Sequence, residues 1–228
     1  MKLSIFFLSI ILFFGCHNTQ RNDLPNTLPV DSLHIFHQSM NKLKDAGFVV
    51  NNRISEADIF NRWKEVLMYH TNPIDALYIT LGEKTSTKPY LNFSDDCWHF
   101  DLASIESNGS YIQILENIKR ISKADLNFEN MQDYCNDHED DKAWVSFAMN
   151  SDKYKWDLKV DNQWADGYLF DKIQALCKKY HTKGKLTFFP EGQAFVMSYL
   201  SNEEFEKIKR ITGLKLQWLK VGNGQIYE

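Results

Sequence analysis

The chain has 228 residues, of which 43% are hydrophobic, 14% aromatic and 25% charged, and its formal net charge is −4. This balance is typical of a globular protein, and the aromatic content argues against a disordered chain. The lack of a basic excess argues against nucleic acid as a partner.

The first sixteen residues have the organisation of an export signal. Lys2 is followed by an apolar run over residues 3–14, and then by Gly15 and Cys16. This run is too short for a stable membrane-spanning helix, and no other apolar run approaches the roughly 18 residues that such a helix needs. The small residue directly before a cysteine resembles the lipobox of bacterial lipoproteins.

The lipobox resemblance implies that residues 1–15 are removed and that Cys16 is lipidated and holds the chain to a membrane. Phe13 and Phe14 depart from the usual pattern of leucine followed by a small residue, and resemble the looser lipoboxes of the Bacteroidetes. Cleavage by ordinary signal peptidase and an uncleaved anchor helix stay open as alternatives. Because no acidic run follows the cysteine, we expect a membrane position that faces the periplasm.

The chain after the signal divides into a tether and a domain. Residues 16–31 comprise the lipidated cysteine and a polar, flexible tether that contains Pro25 and Pro29 and has little to bury. We expect residues 32–228 to form one domain.

The first part of the domain has both helical and extended patterns. Apolar residues recur at helical spacing over 33–43, and Ser55 is typical of the N-cap of a second helix. The apolar run 77–81 predicts a short strand, and the polar residues 83–92 predict a loop.

The middle of the domain predicts a strand, a helix and a hairpin. The strand covers 97–102, the helical stripe covers 111–121, and a shorter helix is predicted over 129–135. Strict alternation over 143–149 and 154–160 predicts two strands joined by a tight turn.

The remaining chain adds further elements of both kinds. Ser201 and Glu204 have the spacing of a capping box at the start of a helix. The other predicted elements are a helix over 169–180, strands over 185–189 and 194–200, and a last strand over 214–218. Adjacent hairpins between helices predict an α+β fold, a mainly antiparallel sheet with amphipathic helices packed on it.

Three cysteines remain once Cys16 is assigned to the lipid. In an oxidising compartment they allow one disulfide and one free thiol. Cys177 lies on an apolar helical face, so we expect it to be free and buried. The expected disulfide then joins Cys97 to Cys135.

A first candidate polar site lies on the predicted strand 97–102 and comprises Asp96, Cys97, His99 and Asp101. Thiol, imidazole and carboxylate are the groups of a cysteine nucleophile. However, side chains two residues apart on a strand stand roughly 7 Å apart, beyond hydrogen-bond reach. A metal site needs further ligands. The simplest interpretation is a half-exposed strand with a polar outer face.

A second candidate is an acidic loop. It consists of Asp137, His138, Glu139, Asp140 and Asp141. The ordered spacing of a calcium loop is absent, because the acids are consecutive and no glycine follows them. The loop is either a solvated surface or a docking patch for a basic partner, since charge clusters speed encounter and set specificity.

The aromatic residues Trp144, Trp164 and Trp218 are a third candidate, because exposed rings stack on sugars or anchor protein interfaces. Core positions are the more common use of such residues. No nucleophile elbow, zinc-helix motif, phosphate loop or paired-cysteine motif is present in the sequence. We therefore predict no cofactor and no metal.

Four short segments of the domain, 78–82, 97–101, 109–111 and 156–158, carry a resemblance to known proteins. They resemble small bacterial proteins encoded near antibacterial toxins and suspected to be immunity proteins. The resemblance implies binding rather than catalysis and supplies no site residues.

The sequence thus predicts a lipid-anchored envelope binding protein, with an immunity protein against an envelope-acting toxin as its specific form. Its partners are the membrane, through the lipid, and a secreted or envelope protein. Two alternatives stay open. One is an envelope hydrolase that uses Cys97, His99 or the acidic loop, and the other is a structural lipoprotein without a ligand.

Overall fold

The computed structural model describes residues 31–136, 142–161 and 163–220. The helices in these ranges are α1 (Ser32–Ala46), α2 (Glu56–Leu67), α3 (Pro73–Gly82), α4 (Ser110–Ile121), α5 (Tyr168–Lys179) and α6 (Asn202–Thr212). The strands are β1 (Cys97–Asp101), β2 (Glu129–Asn136), β3 (Lys142–Met149), β4 (Asp152–Asp161), β5 (Trp164–Ala165), β6 (Lys185–Glu191), β7 (Ala194–Leu200) and β8 (Gln217–Trp218).

The strands form two four-stranded sheets. Sheet A has the order β1-β7-β6-β8, and sheet B has the order β2-β3-β4-β5. All of the strand pairings in the described ranges are antiparallel. The predicted α+β class, with a mainly antiparallel sheet and helices packed on it, is confirmed.

Sheet A lies between two apolar clusters because successive side chains of a strand point to opposite faces. Phe195 and Met197 of β7 belong to one cluster, whereas Val196 between them belongs to the other. The cluster around Val196 contains α1, α2, α3 and α6, which we call the helical side. The cluster around Phe195 contains α4, α5 and the inner face of sheet B, which we call the sheet-B side.

Several predicted boundaries are confirmed by local geometry. The Ser55 hydroxyl accepts a hydrogen bond from the Asp58 backbone N–H at 3.1 Å, and Ser201 and Glu204 form the predicted capping box. The β3–β4 hairpin turns at Asn150 and Ser151, whose φ angles are 50° and 71°. Two successive positive φ values match the twist of a two-residue hairpin.

The strand predicted over 77–81 is wrong, because these residues belong to α3. Asn72 caps this helix by accepting the Ile74 N–H at 2.9 Å, and Pro73 occupies its first turn. Eight of its ten residues are buried, so the apolar run shows no helical stripe. A short, fully buried helix and a buried strand have the same apolar pattern.

The helix predicted over 129–135 is also wrong, because these residues form β2 at the edge of sheet B. Asp133 of β2 caps α4, whose own N-cap residue Gly109 has no side chain. Its carboxylate accepts the backbone N–H groups of Gly109 at 2.8 Å, Tyr111 at 3.0 Å and Ile112 at 3.2 Å. Three donors at a helix N-terminus thus fix the strand against the helix.

The predicted disulfide between Cys97 and Cys135 is wrong. Cys97 is a free thiol in the cluster of the helical side, whereas Cys135 belongs to the cluster of the sheet-B side. The backbone N–H of Cys135 donates to the Asn108 side chain at 2.8 Å. Cys177 is a buried free thiol, as predicted.

Two short strands differ from the prediction. Only Gln217 and Trp218 of the predicted last strand pair with β6, and the two-residue strand β5, which the sequence did not predict, precedes α5. Among the described helices, none combines the length and the apolar character that crossing a bilayer requires.

Candidate functional site

Cys97 is sealed in the core at the start of β1. Its side chain is fully buried among residues of the helical side. Burial raises the pKa of the Cys97 thiol far above its ordinary value, and the neighbouring carboxylate of Asp96 raises it further. A thiolate is the nucleophilic form of cysteine, so this residue is unsuited to nucleophilic catalysis.

His99 points to the same face of β1 but meets different residues. Its Nε2 lies 2.8 Å from Glu191 Oε2, and His70 Nε2 lies 3.5 Å from the other oxygen of the same carboxylate. All three side chains are roughly a quarter exposed. One carboxylate therefore holds two imidazoles, which come from β1 and from the connection between α2 and α3.

Gly82 determines how closely α3 approaches this cluster. A Cβ atom on Gly82 would lie 2.7 Å from the backbone nitrogen of His99. The end of α3 therefore contacts the backbone of β1 directly, which only glycine allows. His99 also lines a cleft of about 720 Å³ together with Arg62, Glu83 and Trp98.

Asp96 turns away from His99 to the opposite end of the site. Its carboxylate accepts the Val49 backbone N–H at 2.6 Å and pairs with Lys123 at 2.9 Å. The hydrogen bond with Asp96 raises the pKa of Lys123. Asp96 and Lys123 line a second cleft, of about 860 Å³, between the C-terminal ends of α1 and α4 and the first turns of α6.

Asp101 lies at the exposed end of β1 and accepts the Ala103 backbone N–H at 2.9 Å. The four residues of the first predicted site therefore do not converge. Cys97 is in the core, His99 pairs with Glu191, Asp96 pairs with Lys123, and Asp101 closes a turn. The sequence offered no signal for Glu191 or His70, because Glu191 is 92 positions away from His99.

The second predicted site falls outside the described residues. It comprises Asp137, His138, Glu139, Asp140 and Asp141, which connect β2 to β3. The residues that flank it, Asn136 and Lys142, are direct partners in the β2–β3 ladder. Cys16 and the tether also lie outside the described residues.

The third prediction concerned aromatic residues, and the structure separates Trp144 from the other two. Trp218 stacks on Phe205 with ring centroids 4.1 Å apart, and Trp164 packs against the cluster of the sheet-B side. Trp144 instead lies on the outer face of sheet B. Its ring is nearly parallel to that of Tyr134, at 15° and 6.5 Å between centroids.

A further polar network fixes α5 to the β3–β4 hairpin. Lys179 lies 2.6 Å from Asp152 and donates to the Tyr154 hydroxyl at 2.7 Å, and the hydroxyls of Tyr154 and Tyr180 are in contact. Hydrogen bonds from Lys179 and Tyr180 lower the pKa of Asp152. This network ties two elements together and borders no cleft described above.

The described part of the chain contains no group of three or more His, Cys, Asp or Glu side chains with the geometry to hold a metal ion. The candidate residues therefore divide into two small polar clusters, each beside a cleft, and one aromatic pair on an open sheet face. Comparisons with protein-family models, curated proteins and solved structures found no match to this chain.

Proposed function

We propose that the chain is a lipid-anchored binding protein of the bacterial cell envelope, held by Cys16 and facing the periplasm. Its proposed partner is a secreted or envelope protein. In its specific form the proposal is an immunity protein that intercepts a toxin acting in the envelope, such as a wall hydrolase or a pore former. An envelope anchor gives no access to a toxin that acts in the cytoplasm.

The observation that carries this proposal is that the start of α1 and the flanks of the acidic segment lie on opposite sides of sheet A. The tether joins the chain at α1, on the helical side of sheet A. Asn136 and Lys142, which flank the acidic segment, pair in sheet B on the other side. A chain held through α1 therefore presents the flanks of the acidic segment on the layer farthest from its attachment.

The charge of the acidic segment and the length of the tether also support the proposed capture of a partner. The acidic segment carries four carboxylates in five residues, which favours a partner with a basic surface, and such pairing speeds encounter. The residues between Cys16 and α1 number fifteen and span at most about 50 Å when extended. That length allows the domain to meet partners at a distance from the bilayer.

The anchor is tested by replacing Cys16 with Ser in the full chain and following both forms by membrane fractionation and mass spectrometry. The wild-type chain should carry acyl chains on Cys16 and sediment with membranes, because several acyl chains hold durably. The Cys16→Ser chain should remain in the soluble fraction. Equal sedimentation of both forms would overturn the lipid anchor.

Partner capture is tested by neutralising the acidic segment with Asp137→Asn, Glu139→Gln, Asp140→Asn and Asp141→Asn together. A matched control neutralises four exposed acids elsewhere in the same way, with Asp45→Asn, Glu106→Gln, Glu116→Gln and Glu206→Gln. Both variants change the net charge equally. After cross-linking in intact cells, the segment variant should lose a defined adduct that the control retains.

The immunity form makes a stricter prediction. Cells that express the wild-type or control chain should survive the toxin that forms the adduct, and cells with the segment variant should not. An adduct that both variants lose equally would show a general charge effect and contradict the assignment of the segment.

The hydrolase alternative now rests on His99 or the acidic segment, because its thiol candidate is sealed in the core. The favourable observation is that Glu191 orients His99 beside a cleft, as an acid partner orients the general base of many hydrolases. His99→Ala should abolish any hydrolysis and leave capture intact. If neither His99 nor the acidic segment affects any measurement, the alternative of a lipoprotein without a ligand prevails.

A further inference from the structure

Within residues 31–136, 142–161 and 163–220, no helix or strand packs on the outer face of sheet B, which is a strip of polar and aromatic side chains. Its central residues are Gln132 and Tyr134 of β2, Trp144 and Ser146 of β3, and Lys155 and Asp157 of β4. We propose that this aromatic strip binds a chain of an acidic polysaccharide. The proposal goes beyond partner capture by the acidic segment and rests on different residues.

The aromatic centre of the strip is a cross-strand pair. Tyr134 and Trp144 are direct register partners on β2 and β3, and their rings lie nearly parallel. Tyr134 is 37% exposed although it lies within a sheet. Two parallel rings on a rigid sheet offer a platform for apolar contact with sugar rings, whose C–H bonds are attracted to the negative faces of aromatic systems, and a sugar that stacks under Lys155 would displace its ammonium from Trp144.

Lysine side chains surround this platform. Lys155 places its ammonium 4.5 Å from the centre of the Trp144 ring. Among the described residues of this face, Lys153 and Lys159 are also exposed, and the acids beside them are Glu129 and Asp157. Three lysines, Lys155 included, against two acids leave the described residues of the strip with a net positive charge, although the whole chain has a net charge of −4. The complementary ligand is therefore anionic.

The size of the strip favours a chain-like ligand over a globular partner. Three strands spaced by about 4.8 Å and eight residues with a rise of about 3.3 Å give a strip of roughly 14 by 26 Å, or about 370 Å². A stable protein interface buries about 800 Å² on each partner. An extended polysaccharide fits a narrow, flat strip, whereas a folded protein needs about twice its area.

The composition of the strip points in the same direction. Lysine, aspartate and serine are depleted from the centres of protein interfaces, and they make up much of this face. The amide of Gln132 and the hydroxyl of Ser146 suit the hydroxyl groups of sugars, which both donate and accept hydrogen bonds. Carboxylate groups of the polymer would pair with Lys155 and its neighbours.

The experiment measures binding of the detergent-solubilised full chain to alginate, a polymer of uronic acids, by calorimetry at several salt concentrations. Trp144→Ala should weaken binding about tenfold or more, which corresponds to about 1.4 kcal/mol. Tyr90→Ala, at a tyrosine that is 60% exposed outside the strip, should leave it unchanged. Lys155→Gln should weaken binding and reduce its salt dependence.

Two further polymers make the result decisive. Dextran, a neutral glucan, should bind much more weakly than alginate, and polyglutamate, an anion without sugar rings, should also bind more weakly. Equal binding of dextran would overturn the anionic assignment, and equal binding of polyglutamate would overturn the assignment to a glycan. Failure of alginate to bind would overturn the proposal. So would a Trp144→Ala chain that still binds alginate but no longer forms the cross-linked protein adduct.

The outcome is independent of the proposed capture function. The variant with a neutral acidic segment should keep or strengthen its binding to alginate, because it removes nearby negative charge. Lys155 is exposed, so Lys155→Gln tests the strip even where a tryptophan change perturbs folding. Neither measurement requires lipid on Cys16.

Discussion

The two sides of sheet A are held together by different kinds of contact. On the helical side, one polar contact lies inside the core, where the Tyr78 hydroxyl meets the Ser198 hydroxyl at 2.8 Å. On the sheet-B side, polar groups near the surface join one element to another, as Asp133 joins β2 to α4. We therefore expect the helical side to depend mainly on packing, and the sheet-B side to depend also on hydrogen bonds that join one element to another.

The largest test of this comparison is Trp63→Ala. Trp63 is fully buried on the helical side, packs on Phe36 at 5.4 Å between ring centroids, and donates its N–H to the Pro73 carbonyl at 3.0 Å. The change should lower the free energy of unfolding by about 3–5 kcal/mol. Urea unfolding measures it, and the same change at Trp144, on the outer strip, is the control and should cost far less.

The second test removes one buried hydroxyl with Tyr78→Phe. The phenol is buried, which raises its pKa far above the ordinary value, and its loss leaves the Ser198 hydroxyl in the core without this partner. We expect a loss of about 1–3 kcal/mol. The control Tyr90→Phe, at an exposed position, should stay within about 0.5 kcal/mol of wild type. Equal effects would remove the distinction between buried and exposed polar groups.

The third test concerns the sheet-B side. Asp133→Ala removes the cap from α4 and should cost about 1–2 kcal/mol in urea unfolding. Asp157→Ala, on the exposed face of β4, removes the same charge without removing a helix cap and should have little effect. If both variants behave alike, the capping contact contributes nothing and the sheet-B side depends on packing alone.

The smallest expected effect is a change in the pH dependence of stability. Partial desolvation and hydrogen bonds with Tyr154 and Asp152 raise the pKa of Tyr180 to about 12. The unfolded chain, with a tyrosine pKa of about 10, loses this proton first, so stability falls as the pH rises from about 10 to about 12. Thermal unfolding of Tyr180→Phe should show a shallower decline in this window than wild type. An identical decline would exclude a contribution from Tyr180.

Local rules identified most of the fold from the sequence. The caps at Ser55 and Ser201 and the alternation of β3 and β4 depend on neighbouring residues, so their signals lie within a few positions. The run 77–81 failed because burial on all sides removes periodicity. The signal that identifies α3 is the Asn72–Pro73 start, since asparagine caps and proline tolerates the first turn.

The candidate site was less predictable, because its contacts join distant parts of the chain. His99 meets Glu191 only after β1, β7 and β6 assemble. The side chain of Asp133 gave no local sign that it caps α4, which precedes β2 in the chain. Cys97 and Cys135 were paired only because Cys177 was expected to be free. That argument does not tell which side of sheet A each cysteine occupies.

The close approach of Gly82 to His99 has a consequence for self-association. A strand at the edge of a sheet exposes unpaired backbone groups that can pair with another copy of the chain. The end of α3 lies directly against the backbone of β1, and the Asn108 side chain accepts the backbone N–H of Cys135 on the edge strand β2. The opposite edges, β5 and β8, are two residues long. The contacts made by α3 and Asn108 reduce the number of backbone groups that β1 and β2 offer to another copy, which lowers the tendency to edge-to-edge aggregation when many copies are crowded together.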